Sequence, residues 1–188
     1  TPNLTPVSSP LLAHCRMLKD KFGSQIETIF IGPCIAKKLE ADRHPDLLSL
    51  AISFTDLRQW FKDEGIDPAQ TKPGVFDVFV LDKAKEGTAY PIEGGMLETI
   101  RAHKLSDDIY TSQITGIYSI QDELSNLKPE EMERPTFLEC LACYGGCISG
   151  PCTSNRAPGL QKRMEILKNA VFTEESGKRK PQYNISLG

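Results

Sequence analysis

The sequence lacks a long apolar run and lacks a strong charge of either sign. No stretch of its 188 residues approaches the roughly 20 consecutive apolar residues that a membrane helix needs, and the N-terminus has neither the basic nor the apolar region of a signal peptide. The net charge of −3, from 22 basic and 25 acidic residues, provides no basic face for a nucleic acid. These absences predict a cytoplasmic protein with neither a nucleic acid nor a membrane as its partner.

Histidine is scarce, and the familiar catalytic motifs are missing. His14, His44 and His103 are far apart in the sequence and lie beside no serine or carboxylate pattern, so we interpret each as a surface or packing residue. The sequence contains no phosphate-binding loop, dinucleotide fingerprint or internal repeat. Local patterns alone therefore predict no catalytic residue.

Cysteine is the residue that the sequence arranges unusually. Four of the six cysteines lie in residues 140–152, here called the cysteine segment, and these are Cys140, Cys143, Cys147 and Cys152. In a reducing compartment clustered cysteines are more often metal ligands or redox groups than disulfides. Zinc sites usually pair two Cys-x2-Cys units or add histidines, and neither pattern is present. One short motif together with the remote Cys34 favours an iron–sulfur cluster.

Local patterns predict an α/β fold. Ser9 followed by Pro10 is typical of a helix start, and a second helix is predicted after Ser53 or Thr55, with Trp60 as a packing residue. Two short apolar runs predict buried strands that lead to Cys34 and to the cysteine segment, at residues 26–31 and 137–142. Further helices are predicted at residues 96–101, 119–127 and 160–172, further strands or extended segments at 75–81 and 112–117, and polar loops at 41–49, 67–74 and 128–134.

Two local features each allow two interpretations. Lys37 and Lys38, which follow Cys34, form either a solvated helix start or cations held near an anionic cluster. Residues 90–95, here called the glycine turn, open onto the helix at Met96, where exposed N–H groups and the helix dipole would suit an anion. Close packing explains the paired glycines of this turn equally well.

Three stretches of the sequence resemble the iron-only (di-iron) hydrogenase large subunit family. Gly32-Pro33-Cys34-Ile35-Ala36-Lys37-Lys38-Leu39-Glu40 resembles its second signature, and Glu139-Cys140-Leu141-Ala142-Cys143-Tyr144-Gly145-Gly146-Cys147-Ile148-Ser149-Gly150 resembles its third. Between them, Glu93-Gly94-Gly95-Met96-Leu97-Glu98-Thr99 is similar to a glycine-rich helix start of the family. The similarity runs in the same order from Leu4 to Gly150, and the chain is identified as a relative of the C-terminal domain of this subunit.

The resemblance implies a two-lobed α/β domain with short parallel sheets flanked by helices and a cluster site in the cleft. This hydrogenase-like domain is expected over residues 1–172, truncated at its N-terminal side, with a polar tail at 173–188. The resemblance also implies ligands. Cys34, Cys143 and Cys147 match cysteines that hold a 4Fe-4S cluster, Cys147 matches the one that bridges to a di-iron subsite, and Lys37 matches a contact of that subsite.

The first signature, which supplies the fourth cluster ligand, has no match in the sequence. A fragment without that ligand is expected to lose an exposed cluster easily. Cys152 stands where catalytic relatives carry glycine and is interpreted as a substitute ligand or redox thiol, and Cys140 is a weaker candidate for the same role.

The resemblance to catalytic members fails around the subsite. Those members have methionine where Gly32 and Leu141 stand, and a Gln-Pro turn where residues 151–154 stand. These changes spare the cluster cysteines and alter the wall of the di-iron subsite. The pattern resembles a sensory branch, in which the domain lies between ferredoxin-type clusters and signalling modules of a longer chain. We therefore interpret the protein as a redox or gas sensor in the signal transduction of an anaerobe, with a catalytic hydrogenase and an iron–sulfur assembly scaffold as alternatives.

Overall fold

The computed structural model describes residues 4–77, 79–81, 84, 86–102 and 108–170, which divide into two units. Described residues up to 66 form the first unit, and those from 67 onward form the second. No helix in this part of the chain combines the length and the apolar character that a membrane crossing requires. The boundary predicted between a domain ending at 172 and a tail at 173–188 lies outside the described residues and stays a prediction.

The first unit is a two-stranded parallel sheet with three helices. Its elements are α1 (Pro10–Phe22), β1 (Ile29–Gly32), α2 (Ala36–Arg43), β2 (Leu50–Ser53) and α3 (Phe54–Asp63). The predicted helix start is confirmed, because Ser9 Oγ accepts a hydrogen bond from the Leu12 amide at 3.2 Å and Pro10 occupies the first turn. The core of the unit consists of Leu12, Cys15, Ala41, Leu48 and Ala51.

The first sheet differs from its sequence-based prediction in two ways. Strand β2 was not predicted, and it pairs in parallel with β1 so that Ile29 lies opposite Leu50. The strand predicted at 26–31 as buried is buried on one face only, because Ile29 and Ile31 are exposed. The packing role predicted for Trp60 is wrong as well, since its side chain is 53% exposed.

The second unit contains the other parallel sheet, and its order follows the prediction closely. Its elements are α4 (Gly95–Ala102), β3 (Tyr110–Thr115), α5 (Ile117–Asn126), β4 (Thr136–Leu141) and α6 (Gly159–Asn169), with short 3-10 turns at Glu86–Ala89, Pro129–Glu131 and Cys147–Ser149. Strand β3 pairs with β4 in parallel, and α5 lies in the connection between them, as parallel strands require. The strand predicted at 75–81 is wrong for residues 75–77 and 79–81, which form none.

The predicted fold class is confirmed as a mixed α/β fold with short parallel sheets flanked by helices. In each unit a strand leads into a segment that carries cysteines. Strand β1 ends just before Pro33 and Cys34, and β4 ends at Leu141, inside the cysteine segment. The carboxyl ends of the strands thus deliver the cysteines, as is usual for sites in α/β proteins.

Candidate metal centre

Cys34 lies in the first unit, between the end of β1 and the start of α2. Its side chain is partly buried, and its carbonyl oxygen accepts a hydrogen bond from the Lys37 amide at 3.3 Å. The Lys37 ammonium is held by Glu40 Oε2 at 2.5 Å, and the Lys38 ammonium by Asp56 Oδ2 at 2.6 Å. Carboxylates therefore fix both lysines in place. The helix start is confirmed, because α2 begins at Ala36 with both lysines in its first turn, and their relation to a cluster stays a prediction.

Asp56 joins α2 to α3 through one carboxylate. Besides binding Lys38, it accepts a hydrogen bond from the Ser53 amide at 2.9 Å, while Ser53 Oγ accepts one from the Asp56 amide at 3.1 Å. This reciprocal pair is a capping box, and it confirms Ser53 as the residue that begins the second predicted helix. The hydrogen bonds from Lys38 and then from Ser53 lower the pKa of Asp56 to about 2.

The cysteine segment lies in the second unit and turns back on itself after β4. Cys143 and Cys147 are partly buried on either side of Gly145 and Gly146, whose φ angles are 72° and 97°. The Gly146 amide donates to the Cys143 carbonyl at 3.0 Å. An added Cβ at Gly145 would meet no atom within 4 Å, so the backbone there is open to a neighbouring group.

The glycine turn packs directly against the cysteine segment. The Glu93 amide donates to the Gly145 carbonyl at 3.2 Å, and the Ile148 amide donates to the Pro91 carbonyl at 3.2 Å. A Cβ at Gly146 would overlap that same Pro91 carbonyl oxygen. Two segments that are separate in the sequence are thus one structural feature. Cys147 lies between the hydrogen-bonded residues Gly145 and Ile148, and Cys143 lies two residues before Gly145.

Glu139 is the residue of this region that sequence reasoning missed. Its side chain is only 4% exposed, and its Oε1 accepts a hydrogen bond from the Met96 amide at 3.4 Å, at the N-terminus of α4. Burial raises the pKa of Glu139 above its usual value, and hydrogen bonds from the amides of the α4 N-terminus partly oppose that rise. Both interpretations of the glycine turn thus find support, since a carboxyl oxygen of the same chain accepts from the Met96 amide and a Cβ at Gly95 would overlap the Ala89 carbonyl. One signal was available, namely an acidic residue within the apolar strand run of residues 136–141.

Cys140 and Cys152 differ in their surroundings. Cys140 is exposed, so the prediction that it lies on a buried strand is wrong at this position. Partial burial of its sulfur and the charge of Glu139 raise the pKa of Cys140, which disfavours the thiolate that binds metals. Cys152 is partly buried and follows the Cys147–Ser149 turn by three residues.

The helix α6 is attached to the other side of the glycine turn. Arg163 donates from Nη1 to the Glu93 carbonyl at 2.9 Å, and a cavity of about 350 Å³ is lined by Gly94, Gly95, Arg101, Gln113 and Arg163. The Arg101 guanidinium is engaged by Glu98 Oε1 at 2.8 Å and by Thr111 Oγ1 at 2.9 Å. Both arginines are therefore used in holding α4 and α6 to their neighbours.

The predicted ligands are divided between the two units. Cys143, Cys147 and Cys152 belong to the second unit, and Cys34 and Lys37 belong to the first. Among the described residues, no three His, Cys, Asp or Glu side chains come together in a group that could hold a metal ion. The donor set and the open glycine backbone suit a thiolate-bound group at Cys143 and Cys147, and the full ligand set stays a prediction.

Comparison with known proteins gives a consistent result. The family model described as "Iron only hydrogenase large subunit, C-terminal domain" matches residues 1–151. Iron hydrogenase 1 of Clostridium pasteurianum is 23% identical over 201 aligned positions, covering 85% of this chain and 35% of that protein. This chain therefore spans about a third of the length of that curated relative.

Solved structures of FeFe-hydrogenases share the fold. One from Chlamydomonas reinhardtii gives a TM-score of 0.60 at 19% identity, over 88% of this chain and 60% of that one. Another, which concerns the oxygen-initiated degradation of the 2Fe subcluster of an H cluster, gives 0.63 at 21% identity, over 92% of this chain and 61% of that one. This chain thus covers about three fifths of either solved structure.

Proposed function

Because the chain belongs to the family of the iron-only hydrogenase large subunit, C-terminal domain, we propose that it binds a 4Fe-4S cluster and senses redox state or a gas. The observation that carries the proposal is the cysteine segment, which the glycine turn holds so that Cys143 and Cys147 flank an open glycine backbone. The sensory role is inferred from the residues that replace those of catalytic members.

The proposal assigns each candidate residue a task. Following the resemblance, Cys34, Cys143 and Cys147 are thiolate ligands, and Cys152 is a substitute ligand. Lys37, held by Glu40, supplies a positive charge that stabilises thiolates close to it. When bound, such a cluster supplies one-electron redox chemistry, with a potential set by charge, hydrogen bonds and exposure.

The residue at position 32 supports sensing over turnover. The resemblance places a methionine of catalytic members there, at the wall of the di-iron subsite. In this chain an added Cβ at Gly32 would overlap the ring of Phe30, so a larger side chain requires that ring to move. The replacement is therefore built into the local packing. The proposal extends to partners, which are ferredoxin-type and signalling domains of a longer chain in the cytoplasm, where thiols stay reduced.

Anaerobic reconstitution with iron and sulfide tests cluster binding. We expect the natural polypeptide to take up about four irons per chain and to give the EPR signal of a reduced cubane. C143S and C147S should lose most of the iron, while C140S, a matched control on the exposed side of β4, should keep it. A wild-type product that is folded and free of iron would refute the proposal.

A catalytic hydrogenase is the second candidate function, because the family to which the chain belongs is named for that activity. Hydrogen evolution by the natural polypeptide, after maturation with a di-iron cofactor, separates the two. Sensing predicts a rate at background level with the cubane present. A sustained rate that C147S abolishes and C140S does not would establish the catalyst instead.

A further inference from the structure

Glu139 connects the start of the cysteine segment to a helix that lies 43 residues earlier in the chain. We propose that Glu139 is a positioning residue, whose carboxylate anchors β4 to the N-terminus of α4 and thereby fixes the cysteine segment against the glycine turn. The importance of this anchor for a cluster rests on the proposed function. Its effect on the thiols of Cys143 and Cys147 can be measured without a cluster.

The first argument is the place of the carboxylate. The amides of the first turn of a helix have no partner within the helix, and negative charge is favoured there. In α4 the Met96 amide donates to Glu139 Oε1. A side chain from a neighbouring strand therefore does what a local capping residue does in α1 and α3, where Ser9 and Ser53 accept the corresponding bonds.

The second argument is that the anchors lie on both sides of the two cysteines. Glu139 holds the segment before Cys143, and the bond from the Ile148 amide to the Pro91 carbonyl holds it after Cys147. Between them, the Glu93 amide binds the Gly145 carbonyl. Of these three attachments, Glu139 supplies the one made by a side chain, so it is the one that a substitution can remove without changing the backbone.

The third argument is that Glu139 is poorly suited to a purely stabilising role. Its Oε2 is buried and has no hydrogen-bond partner among the described residues. A buried polar atom without a partner is unfavourable, and an apolar side chain at this strand position would avoid that. Residues that leave a buried polar atom unpaired in this way are expected at functional sites, where geometry takes precedence over stability.

Thiol alkylation of the metal-free protein tests the proposal, with each cysteine followed by mass spectrometry under anaerobic native conditions. E139L keeps the apolar volume and removes the acceptor, and we expect Cys143 and Cys147 to react about tenfold faster because the segment opens locally. Cys34, in the first unit, should keep its rate. E139Q keeps an acceptor oxygen for the Met96 amide and should stay within about twofold of wild type. E130L, at an exposed glutamate, is the control for introducing leucine.

Two outcomes would overturn the proposal. One is an alkylation rate of Cys143 and Cys147 in E139L that equals the rate in wild type. The other is an E139Q protein that behaves like E139L, because the retained acceptor should rescue the geometry. If E139L does not fold, E139Q and E139D decide, since the shorter side chain of aspartate should not reach Met96 and should show the faster alkylation.

The same measurement distinguishes this inference from the proposed function. A wild-type protein that binds no iron but shows the expected alkylation pattern would refute cluster binding and retain the positioning role. If wild type, E139Q and E139L bind iron equally well, and their metal-free forms are alkylated at identical rates, cluster binding is retained and the positioning role is refuted.

Discussion

Asp56 shows how much one side chain contributes to the packing of two helices. Its carboxylate accepts hydrogen bonds at the N-terminus of α3 and binds Lys38 of α2. Because its pKa lies near 2 rather than at the usual 3.8, the folded protein binds fewer protons than the unfolded chain between these values. The stability that Asp56 contributes is therefore present above pH 3.8 and is lost as the pH falls through about 2.

The substitution D56N tests this pH dependence. We expect D56N to lower the melting temperature at neutral pH, and the difference from wild type to shrink as the pH falls through about 2. Thermal unfolding followed by circular dichroism across this range is the measurement, with D20N at an exposed position as the control. A constant difference between D56N and wild type at all pH values would contradict the assignment.

Gly145 and Gly146 form a natural pair of test positions in the cysteine segment. Both have positive φ, but a Cβ at Gly145 meets nothing within 4 Å whereas one at Gly146 overlaps the Pro91 carbonyl. G145A should lower the free energy of unfolding by about 1 kcal/mol, which is the cost of a positive φ for a residue with a Cβ. G146A should cost about 3 kcal/mol because the clash with backbone is added. Urea unfolding of the two variants measures the difference. Equal losses of stability would mean that the Pro91 carbonyl leaves room for a Cβ at Gly146.

The cysteines and glycines of the site were predictable from the sequence, and the contacts that hold them were not. Their residue types and spacing indicate thiolate chemistry directly. Glu139 gave little signal, because its partner Met96 is separated from it by 43 residues and no local pattern connects the two. The same holds for the contact of Gly146 with the Pro91 carbonyl, which adds to the requirement set by its positive φ and which no local pattern indicates.

Among the secondary-structure elements, those with local signals were predicted and those that depend on distant partners were not. The helix starts at Ser9 and Ser53 are marked by their own side chains. Strand β2 has four residues and is formed by pairing with β1 across α2, so its sequence alone reads as a continuation of a loop. Trp60 was expected to pack because of its size, and it lies exposed on α3.

Helix α6 offers a prediction at the scale of an element, because Arg163 attaches it to the glycine turn. R163Q removes the charged donor to the Glu93 carbonyl, and we expect a loss of about 1–2 kcal/mol and faster amide exchange across Gly159–Asn169. K168Q breaks only the exposed pair with Glu165 and should change stability by less than about 0.5 kcal/mol. Exchange rates in α6 that are the same in both variants would show that Arg163 does not hold the helix.

At the scale of the whole molecule, the family, the α/β class and a two-lobed domain were expected from the sequence, and the boundary between residues 66 and 67 required the structure. The two parallel sheets each carry one of the recognisable segments, so the order of motifs along the chain indicated the fold correctly. Which residues stay exposed was not predictable in the same way. Phe76 and Phe79 are 91% and 88% exposed although their residue types favour burial.

Exposed aromatic side chains predict a tendency to self-associate, since the net charge of −3 gives little repulsion between molecules. The double variant F76S/F79S should reduce binding of a hydrophobic dye and slow aggregation on warming. Its melting temperature should correspond to a stability within about 0.5 kcal/mol of wild type, because these side chains have few contacts to lose. Light scattering measures aggregation, and an unchanged rate would place the responsible surface elsewhere.

The attachment of the cysteine segment to the glycine turn limits how the site could be transplanted. A synthetic peptide of residues 140–152 would contain four cysteines, but it would lack Glu139, Glu93 and Pro91, which hold the segment in place. Such a peptide would bind metals as a flexible chelator and would not reproduce the geometry. The smallest piece of the chain that keeps the geometry of the cysteine segment is therefore the segment together with the glycine turn, α4 and the β3–β4 pair.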